Sequence, residues 1–158
     1  MKLSRPKNIS QLSKAAFEFG HRDKQWSFTL DAFEDVRVQE YWSKDFSEGV
    51  EESINLFKGD CDSFSSFEHF VASVSVLQFE DSYPIRQHLD ELEKIELCAR
   101  SHSEFSTEWL AYSRMLKRPP PCPKVFGEAY QSRNEFNWVF WFAQSDHQYF
   151  AFEWGTSG

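Results

Sequence analysis

The sequence predicts an α+β fold, in which several amphipathic helices pack on one face of a small antiparallel sheet that includes a C-terminal aromatic hairpin over about residues 135–154. Three observations lead to this prediction. Apolar residues recur at helical spacing through much of the first two thirds of the chain. Aromatic residues crowd two strand-like runs near the C-terminus. A proline-rich segment separates the two patterns, so helices and strands are segregated along the chain, as in α+β proteins.

The length and composition predict a single domain over residues 1–158. Aromatic residues make up 18% of the chain, with 17 Phe and 6 Trp. Each buried ring removes roughly 150–250 Å² from water, so a few well-placed rings suffice to build a core. With 6 Gly and 6 Pro, the chain has the composition of neither a linker nor a disordered tail. Residues 1–7 are expected to be loose.

The first forty residues contain one clear pattern and one ambiguous pattern. A first helix is predicted over about residues 8–19, because its apolar residues fall on one face. Residues 26–41 fit both a strand and a helix, since their apolar residues first alternate and then recur at every third position. Both interpretations stay open, and a helix over about residues 27–41 is preferred.

Helical spacing continues in the middle of the chain. Four more helices are predicted, over about residues 47–58, 65–74, 82–100 and 106–118. The run over residues 74–79 could finish the second of these as a strand, because β-branched residues prefer strands. In the first of these, Val50, Ile54 and Phe57 form one apolar stripe. In the second, Ser65 and Glu68 have the spacing of a capping box. Ser106 is the expected cap of the last.

The remaining residues are expected to form the sheet. Residues 119–123 read Pro-Pro-Pro-Cys-Pro and predict a stiff polyproline connector between the helical part and the sheet. A short strand is preferred over about residues 124–131. The hairpin then follows, with apolar runs at Phe136–Ala143 and Tyr149–Trp154.

The register of the hairpin is predicted from its aromatic residues. If all of them share the core face, a three-residue loop is required, and Phe142 lies opposite Phe150. The other face of the hairpin then carries Trp141, Tyr149 and Glu153. These three side chains are expected to point away from the core.

Composition also bounds the class of protein. The formal net charge of -8 repels phosphate backbones and argues against nucleic-acid binding. The 3 cysteines include no CxxC pair, which predicts a reducing compartment. There is neither a signal-peptide pattern nor an apolar run long enough to span a membrane. A cytoplasmic protein that binds no membrane is therefore expected.

No motif in the sequence indicates catalysis. The chain contains no G-x-S-x-G elbow and neither of the glycine-rich nucleotide fingerprints. Cys98 and His102 would share a helix face, with His88 on roughly the same side, if the helix continued past Ser101. A break near residues 101–103 would separate them, and the sequence leaves both alternatives open. We therefore predict no catalytic, cofactor or metal residues, and no enzyme.

The function predicted from these features is protein binding without chemistry. In size and charge the chain is similar to bacterial immunity proteins, which neutralise toxins as antitoxins do, and to phage-encoded inhibitors of host defence. We expect an inhibitor that occludes a basic site on another protein. The expected binding residues are those of the outward hairpin face and of an acidic segment: Trp141, Tyr149, Glu153, Glu48, Glu51 and Glu52.

Two other classes of function remain as alternatives. One is a small-ligand-binding protein or hydrolytic enzyme with an aromatic-lined pocket, for which His147, Glu135 and Glu153 are the first candidates. The other is a structural subunit that forms a homodimer or larger homo-oligomer through Trp141 and its neighbours.

Overall fold

The structure is a computed structural model that describes residues 35–48, 51–78, 91–92, 95 and 97–156. The predicted loose tail, the first helix and most of the predicted helix over residues 82–100 lie outside this part of the chain. By its contacts the chain divides into two compact units. One consists of residues 1–37 and 59–95, and the other of residues 38–58 and 96–158. The single domain stays a prediction.

A six-stranded sheet is the main element of the described chain, and most of it belongs to the second unit. Its strands are β1 (Arg37–Tyr41), β2 (Glu52–Asp60), β3 (Cys98–Arg100), β4 (Phe126–Glu135), β5 (Trp138–Gln144) and β6 (Gln148–Thr156). The order across the sheet is β1-β2-β6-β5-β4-β3. Pairing is antiparallel from β3 through β4 and β5 to β6. The predicted α+β class and the C-terminal hairpin are therefore confirmed.

Two α-helices are described along their length, α1 (Phe67–Gln78) in the first unit and α2 (His102–Ser113) in the second, and residues 91 and 92 are also helical. The prediction of several helices is thus overstated for this part of the chain. The segment predicted as a helix over residues 47–58 is instead largely β2, and residues 37–41 are β1. Ile54 and Leu56 alternate toward one buried face, while Phe57 is buried on the other. Apolar residues on both faces of a strand produced the spacing that resembles a helix.

The register of the β5–β6 hairpin differs from the prediction by one residue. Trp141 lies opposite Phe152, and Phe142 lies opposite Ala151. The backbone N–H of Ser145 donates to the carbonyl of Gln148 at 2.8 Å, which closes a two-residue turn. The predicted three-residue loop is therefore wrong. Its premise fails because both faces of β5 and β6 are buried, so that aromatic residues mark no single inner face.

α2 covers one face of this hairpin. The ring of Phe105 contacts those of Trp141 and Phe150, with centroids 5.7 and 5.5 Å apart. One turn further along α2, the ring of Trp109 lies 5.1 Å from that of Phe152. Helix and sheet thus form an aromatic core, as expected from the number of rings.

α2 begins four residues before the predicted start at Ser106. The hydroxyl of Ser101 accepts a hydrogen bond from the backbone N–H of Glu104 at 3.1 Å and caps the helix. Leu110, an apolar residue of α2, is 61% exposed. After α2, the predicted connector over residues 119–123 contains neither helix nor strand, and the indole N–H of Trp109 donates to the carbonyl of Pro120 at 3.3 Å.

In the first unit, α1 confirms the helix predicted to begin at the capping box of Ser65, within two residues at its start. The helix continues to Gln78, so the alternative that the chain becomes a strand from Val74 is wrong for residues 74–78. Its cap is Ser66 rather than Ser65, since the hydroxyl of Ser66 accepts from the backbone N–H of His69 at 3.1 Å. Residues 69–77 are all buried, as in a helix enclosed on every side. Ser73 and Ser75 accommodate this burial by donating their hydroxyls to carbonyls one turn earlier.

None of the described helices is both long and apolar enough to cross a membrane.

Candidate functional site

The hairpin residues expected to bind a partner do not form an exposed face. Trp141 is 2% exposed and lies in the aromatic core under α2, so the prediction that it points away from the core is wrong. Tyr149 lies on the opposite face of the sheet but is also buried. The prediction for Trp141 is wrong because the register differs by one residue, which places Trp141 on the face under α2. The prediction for Tyr149 is wrong because the opposite face of the sheet is buried as well.

Glu153 is half-buried, and its carboxylate lies within a small network of hydrogen bonds. Its carboxylate accepts from the amide of Asn55 at 3.0 Å and from the indole N–H of Trp138 at 2.9 Å. Burial raises the pKa of Glu153, and the two hydrogen bonds oppose that rise. The carboxyl thereby connects strands β2, β6 and β5, and each of its two oxygens already accepts a hydrogen bond within the sheet.

The acidic residues predicted from the sequence do lie at the surface. Glu48 and Glu51 are exposed and Glu52 is half-buried, in and after the connection between β1 and β2. This connection also holds Trp42, which is 37% exposed. Of the predicted site, the acidic residues are therefore at or near the surface, whereas the aromatic residues Trp141 and Tyr149 are buried. The aromatic residue that is exposed in the same connection is Trp42.

Trp42 is hydrogen-bonded to one carboxylate that precedes it in the sequence and to one that follows it. Its indole N–H donates to Glu40 at 3.3 Å, and its backbone N–H donates to Asp45 at 2.9 Å. Residues 43–45 form a single 3-10 turn, which ends at Asp45. We define the Trp42 surface as Glu40, Trp42 and Asp45. It is an exposed indole residue that is hydrogen-bonded to a carboxylate on each side.

The Trp42 surface is fixed by a second segment of the chain. Phe46 forms an isolated antiparallel bridge with Leu116. The backbone N–H of Ser47 donates to the carbonyl of Met115 at 2.7 Å, and the backbone N–H of Lys117 donates to the carbonyl of Asp45 at 2.8 Å. Phe46 and Leu116 are both buried in the core beneath α2. The loop is thereby anchored at its centre, which reduces the conformational entropy that binding would remove.

The sequence did not indicate Trp42, because a helix was preferred over about residues 27–41 and the segment after it was not assigned. Polar neighbours alone could not identify it: Trp42 and Phe46 lie in the same polar run, yet Trp42 is 37% exposed and Phe46 is 2% exposed.

The alternative metal arrangement is not formed by the residues described. Cys98 lies on strand β3, whereas His102 is the first residue of α2, so the two do not share a helix face. The ring of His102 is hydrogen-bonded to the carbonyl of Gly127. His88 lies outside the described chain. Within that chain, no group of three metal-ligating side chains comes together.

The residues first suspected of catalysis are also apart. His147 lies in the β5–β6 turn, whereas Glu135 and Glu153 lie near the other end of β5. Six residues of strand separate the two ends, or roughly 20 Å at 3.3 Å per residue. Glu135 is exposed and paired with Arg133 at 3.4 Å. The structure therefore assembles no acid–base pair from these three.

Cys122 has the character of an unreactive thiol. Burial raises its pKa, and a weak hydrogen bond to Ser106 opposes the rise. Because the thiolate is the nucleophile, a raised pKa argues against a role in covalent catalysis.

Comparison with protein-family models, with curated proteins and with solved structures finds no match to this chain.

Proposed function

We propose that the protein is a non-enzymatic protein-binding module whose Trp42 surface receives a basic side chain of its partner. The observation that carries this proposal is the exposed indole of Trp42, flanked by Glu40 and Asp45. An arginine or lysine stacks favourably on an indole face, and nearby carboxylates accept its N–H groups. The Trp42 surface offers both interactions in one place.

Its rigidity supports the same function. Interface residues that contribute most to affinity are often aromatic or arginine and lie in well-ordered settings. Trp42 has its indole N–H and its backbone N–H already bonded, and its loop is bridged to Leu116. Little ordering is therefore required when a partner docks.

Positive charge near the Trp42 surface limits what the partner presents. Lys44 lies within the loop, and Arg114, Lys117 and Arg118 belong to the segment that anchors it. The ammonium of Lys117 is bonded to the carbonyl of Lys44 at 2.9 Å, while Arg114 and Arg118 are exposed. A uniformly basic partner would be repelled by these cations. One basic side chain in an otherwise mixed surface fits better.

Inhibition by occlusion, as in immunity proteins and antitoxins, is the biological form that we propose for this binding. The support is the small acidic chain together with the rigid Trp42 surface. A cytoplasmic location is part of the same proposal.

A homo-oligomeric subunit is a second candidate, favoured by one observation. Phe136, in the β4–β5 turn, is 89% exposed. Such a ring at a turn is a potential contact between two copies. Light scattering over a range of concentrations tests this: a mass that rises with concentration and falls in Phe136→Ala supports it, and a constant monomer mass rules it out.

The principal proposal is tested by comparative capture from the source cell. Wild-type protein, Trp42→Ala and the control Leu110→Ala are immobilised in equal amounts. Leu110 is a matched control because it is also a large, exposed apolar residue and lies on α2. We expect one protein to be retained by the wild type and Leu110→Ala and lost from Trp42→Ala. Equal retention by all three variants would contradict the proposal.

A further inference from the structure

A polar cavity of about 280 Å³ lies between the first turns of α2 and the neighbouring strands β3, β4 and β5. All of its lining residues belong to the second unit. Ser103 and Thr107 line it from the helix, and Gln131 and Asn134 line it from β4. The cavity is distinct from the Trp42 surface and shares no residue with it.

Three of the residues that line this cavity each have a buried side-chain N–H donor without a hydrogen-bond partner. They are Nε of Arg100, Nε2 of Gln131 and Nε1 of Trp141. Gln131 is 4% exposed, and Trp141, its direct partner across the β4–β5 pair, is 2% exposed. Buried donors are rarely left without an acceptor because desolvating them is unfavourable. Three of them around one cavity indicate that an acceptor group belongs there.

The start of α2 adds to the attraction for an acceptor. The backbone N–H groups of a first helical turn carry partial positive charge. Ser103 lies in that turn and lines the cavity. Together with the guanidinium of Arg100, this environment favours a carboxylate over an uncharged acceptor.

Carboxylates of the protein line the same cavity from α2. Glu104 and Glu108 are four residues apart and therefore lie on the same side of the helix. Glu104 is paired with Arg100 at 3.5 Å. Burial raises the pKa of Tyr112, and the nearby negative charge of Glu108 raises it further. None of the ion pairs among the described residues involves Glu108. The cavity therefore offers an acceptor for positive charge as well as donors for negative charge.

We propose that this cavity binds a small zwitterion, a free amino acid being the simplest example. Its carboxylate lies against the donors of Arg100, Gln131 and Trp141, and its ammonium lies against Glu108. Small-molecule sites usually occupy roughly 300–1,000 Å³, so a cavity at the lower end suits an amino acid rather than a nucleotide. A simple anion fits less well because it has no ammonium group to offset the charge of Glu108. A neutral polyol fits less well because it has no carboxylate for the three donors.

The test uses nuclear magnetic resonance of the full-length, ¹⁵N-labelled protein. The indole N–H of Trp141 and the side-chain amide of Gln131 are the reporters, since both line the cavity. The probes are the twenty common amino acids, acetate, methylammonium and glucose. We expect at least one amino acid to shift both signals in a saturable manner. We expect acetate to bind at least about tenfold more weakly than that amino acid, and glucose and methylammonium to leave the signals unchanged.

Variants then test the assigned roles with the amino acid that binds. Arg100→Lys keeps the charge and removes Nε, and Glu108→Gln removes the negative charge. Each is expected to weaken binding about tenfold to a hundredfold, as loss of a charge-assisted hydrogen bond does. Glu135→Gln is the matched control, because Glu135 is exposed and lies outside the cavity. Circular dichroism establishes that each variant is folded.

Three results would overturn the proposal. If no probe saturates the two signals in the folded wild type, the cavity holds ordered water only. If glucose or acetate binds as tightly as any amino acid, the assignment of a zwitterion is wrong. Equal weakening in Glu135→Gln would place the ligand elsewhere. None of these results bears on partner binding at Trp42, so the two proposals are tested separately.

Discussion

At the scale of single residues, Glu153 shows how a charged side chain is accommodated within the sheet. Its carboxylate joins Asn55 of β2 and Trp138 of β5 to its own strand β6. The buried Oδ1 of Asn55 has no hydrogen-bond partner. Rotation of that amide would let a protonated Glu153 donate to it, which is consistent with a raised pKa.

The raised pKa of Glu153 predicts how stability depends on pH. Since the unfolded chain releases the proton near the ordinary value of about 4.3 and the folded chain only at higher pH, the folded state binds more protons between the two. This contribution to the free energy of unfolding is full below the ordinary pKa and is lost as pH rises through the folded pKa. Glu153→Gln should remove the dependence and so gain stability relative to the wild type between pH about 4 and pH about 7.

Urea denaturation of both proteins at the two pH values measures this effect. The amide that Glu153→Gln introduces can still accept from Trp138 and donate to a rotated Asn55, so the variant should fold. A difference in free energy of unfolding between the two proteins that is the same at both pH values would show that Glu153 titrates normally.

A glycine in the first unit provides a second prediction at this scale. A Cβ at position 59 would collide with the ring of Phe64, which itself packs edge-on against Phe70 with centroids 5.3 Å apart. Gly59→Ala should therefore destabilise the protein by about 1–3 kcal/mol, as overpacking does. Gly155→Ala is the control, because a Cβ there makes only ordinary contacts. Thermal denaturation compares the two, and equal melting temperatures would show that the ring of Phe64 can move aside.

At the scale of elements, the N-terminal cap of α2 provides a prediction. The sequence favoured Ser106, whereas the structure uses Ser101, whose hydroxyl accepts from the backbone N–H of Glu104. Ser101→Ala should lower the free energy of unfolding by about 0.5–2 kcal/mol. Ser106→Ala, within the helix, should change it by less. A larger loss in Ser106→Ala, measured by chemical denaturation, would show that the helix begins at the later residue.

The elements differ in how far the sequence could predict them. The start of α1 and the hairpin strands were predictable because their local patterns are unambiguous. β2 was not, since Phe57 stacks on Phe140 on one face while Ile54 is buried on the other. The register of β5 and β6 was also beyond reach, because local alternation carries no information when both faces of a strand are covered. The cap at Ser101 was accessible: Ser101 and Glu104 have the same spacing as the capping box assigned at Ser65.

At the scale of the whole molecule, most aromatic residues in the described part of the chain are structural. Rings of the hairpin lie in the core, and among the described aromatic residues only a few, such as Trp42 and Phe136, are exposed. Of the predicted binding site, the acidic residues Glu48 and Glu51 lie at the surface, and the aromatic residues do not. The cavity beside α2 could not be foreseen, because it requires Arg100, Gln131 and Trp141 to meet from three different strands.

Salt dependence of binding provides a further prediction at this scale. If carboxylates of the Trp42 surface contact a basic side chain, Glu40→Gln should weaken binding and reduce its sensitivity to ionic strength. Glu135→Gln, an exposed carboxylate outside the Trp42 surface, should do neither. Surface plasmon resonance at low and high salt with the captured partner measures both effects. An unchanged salt dependence in Glu40→Gln would remove Glu40 from the interface.

The most direct test of the proposed function is the calorimetric Kd of that purified partner for the wild type, Trp42→Ala and Leu110→Ala. If Trp42 is the anchor, its truncation should cost about 2 kcal/mol or more, which weakens binding by roughly thirtyfold. Leu110→Ala should bind as the wild type does. Wild-type affinity in a folded Trp42→Ala would contradict the proposal, because the indole would then lie outside the interface.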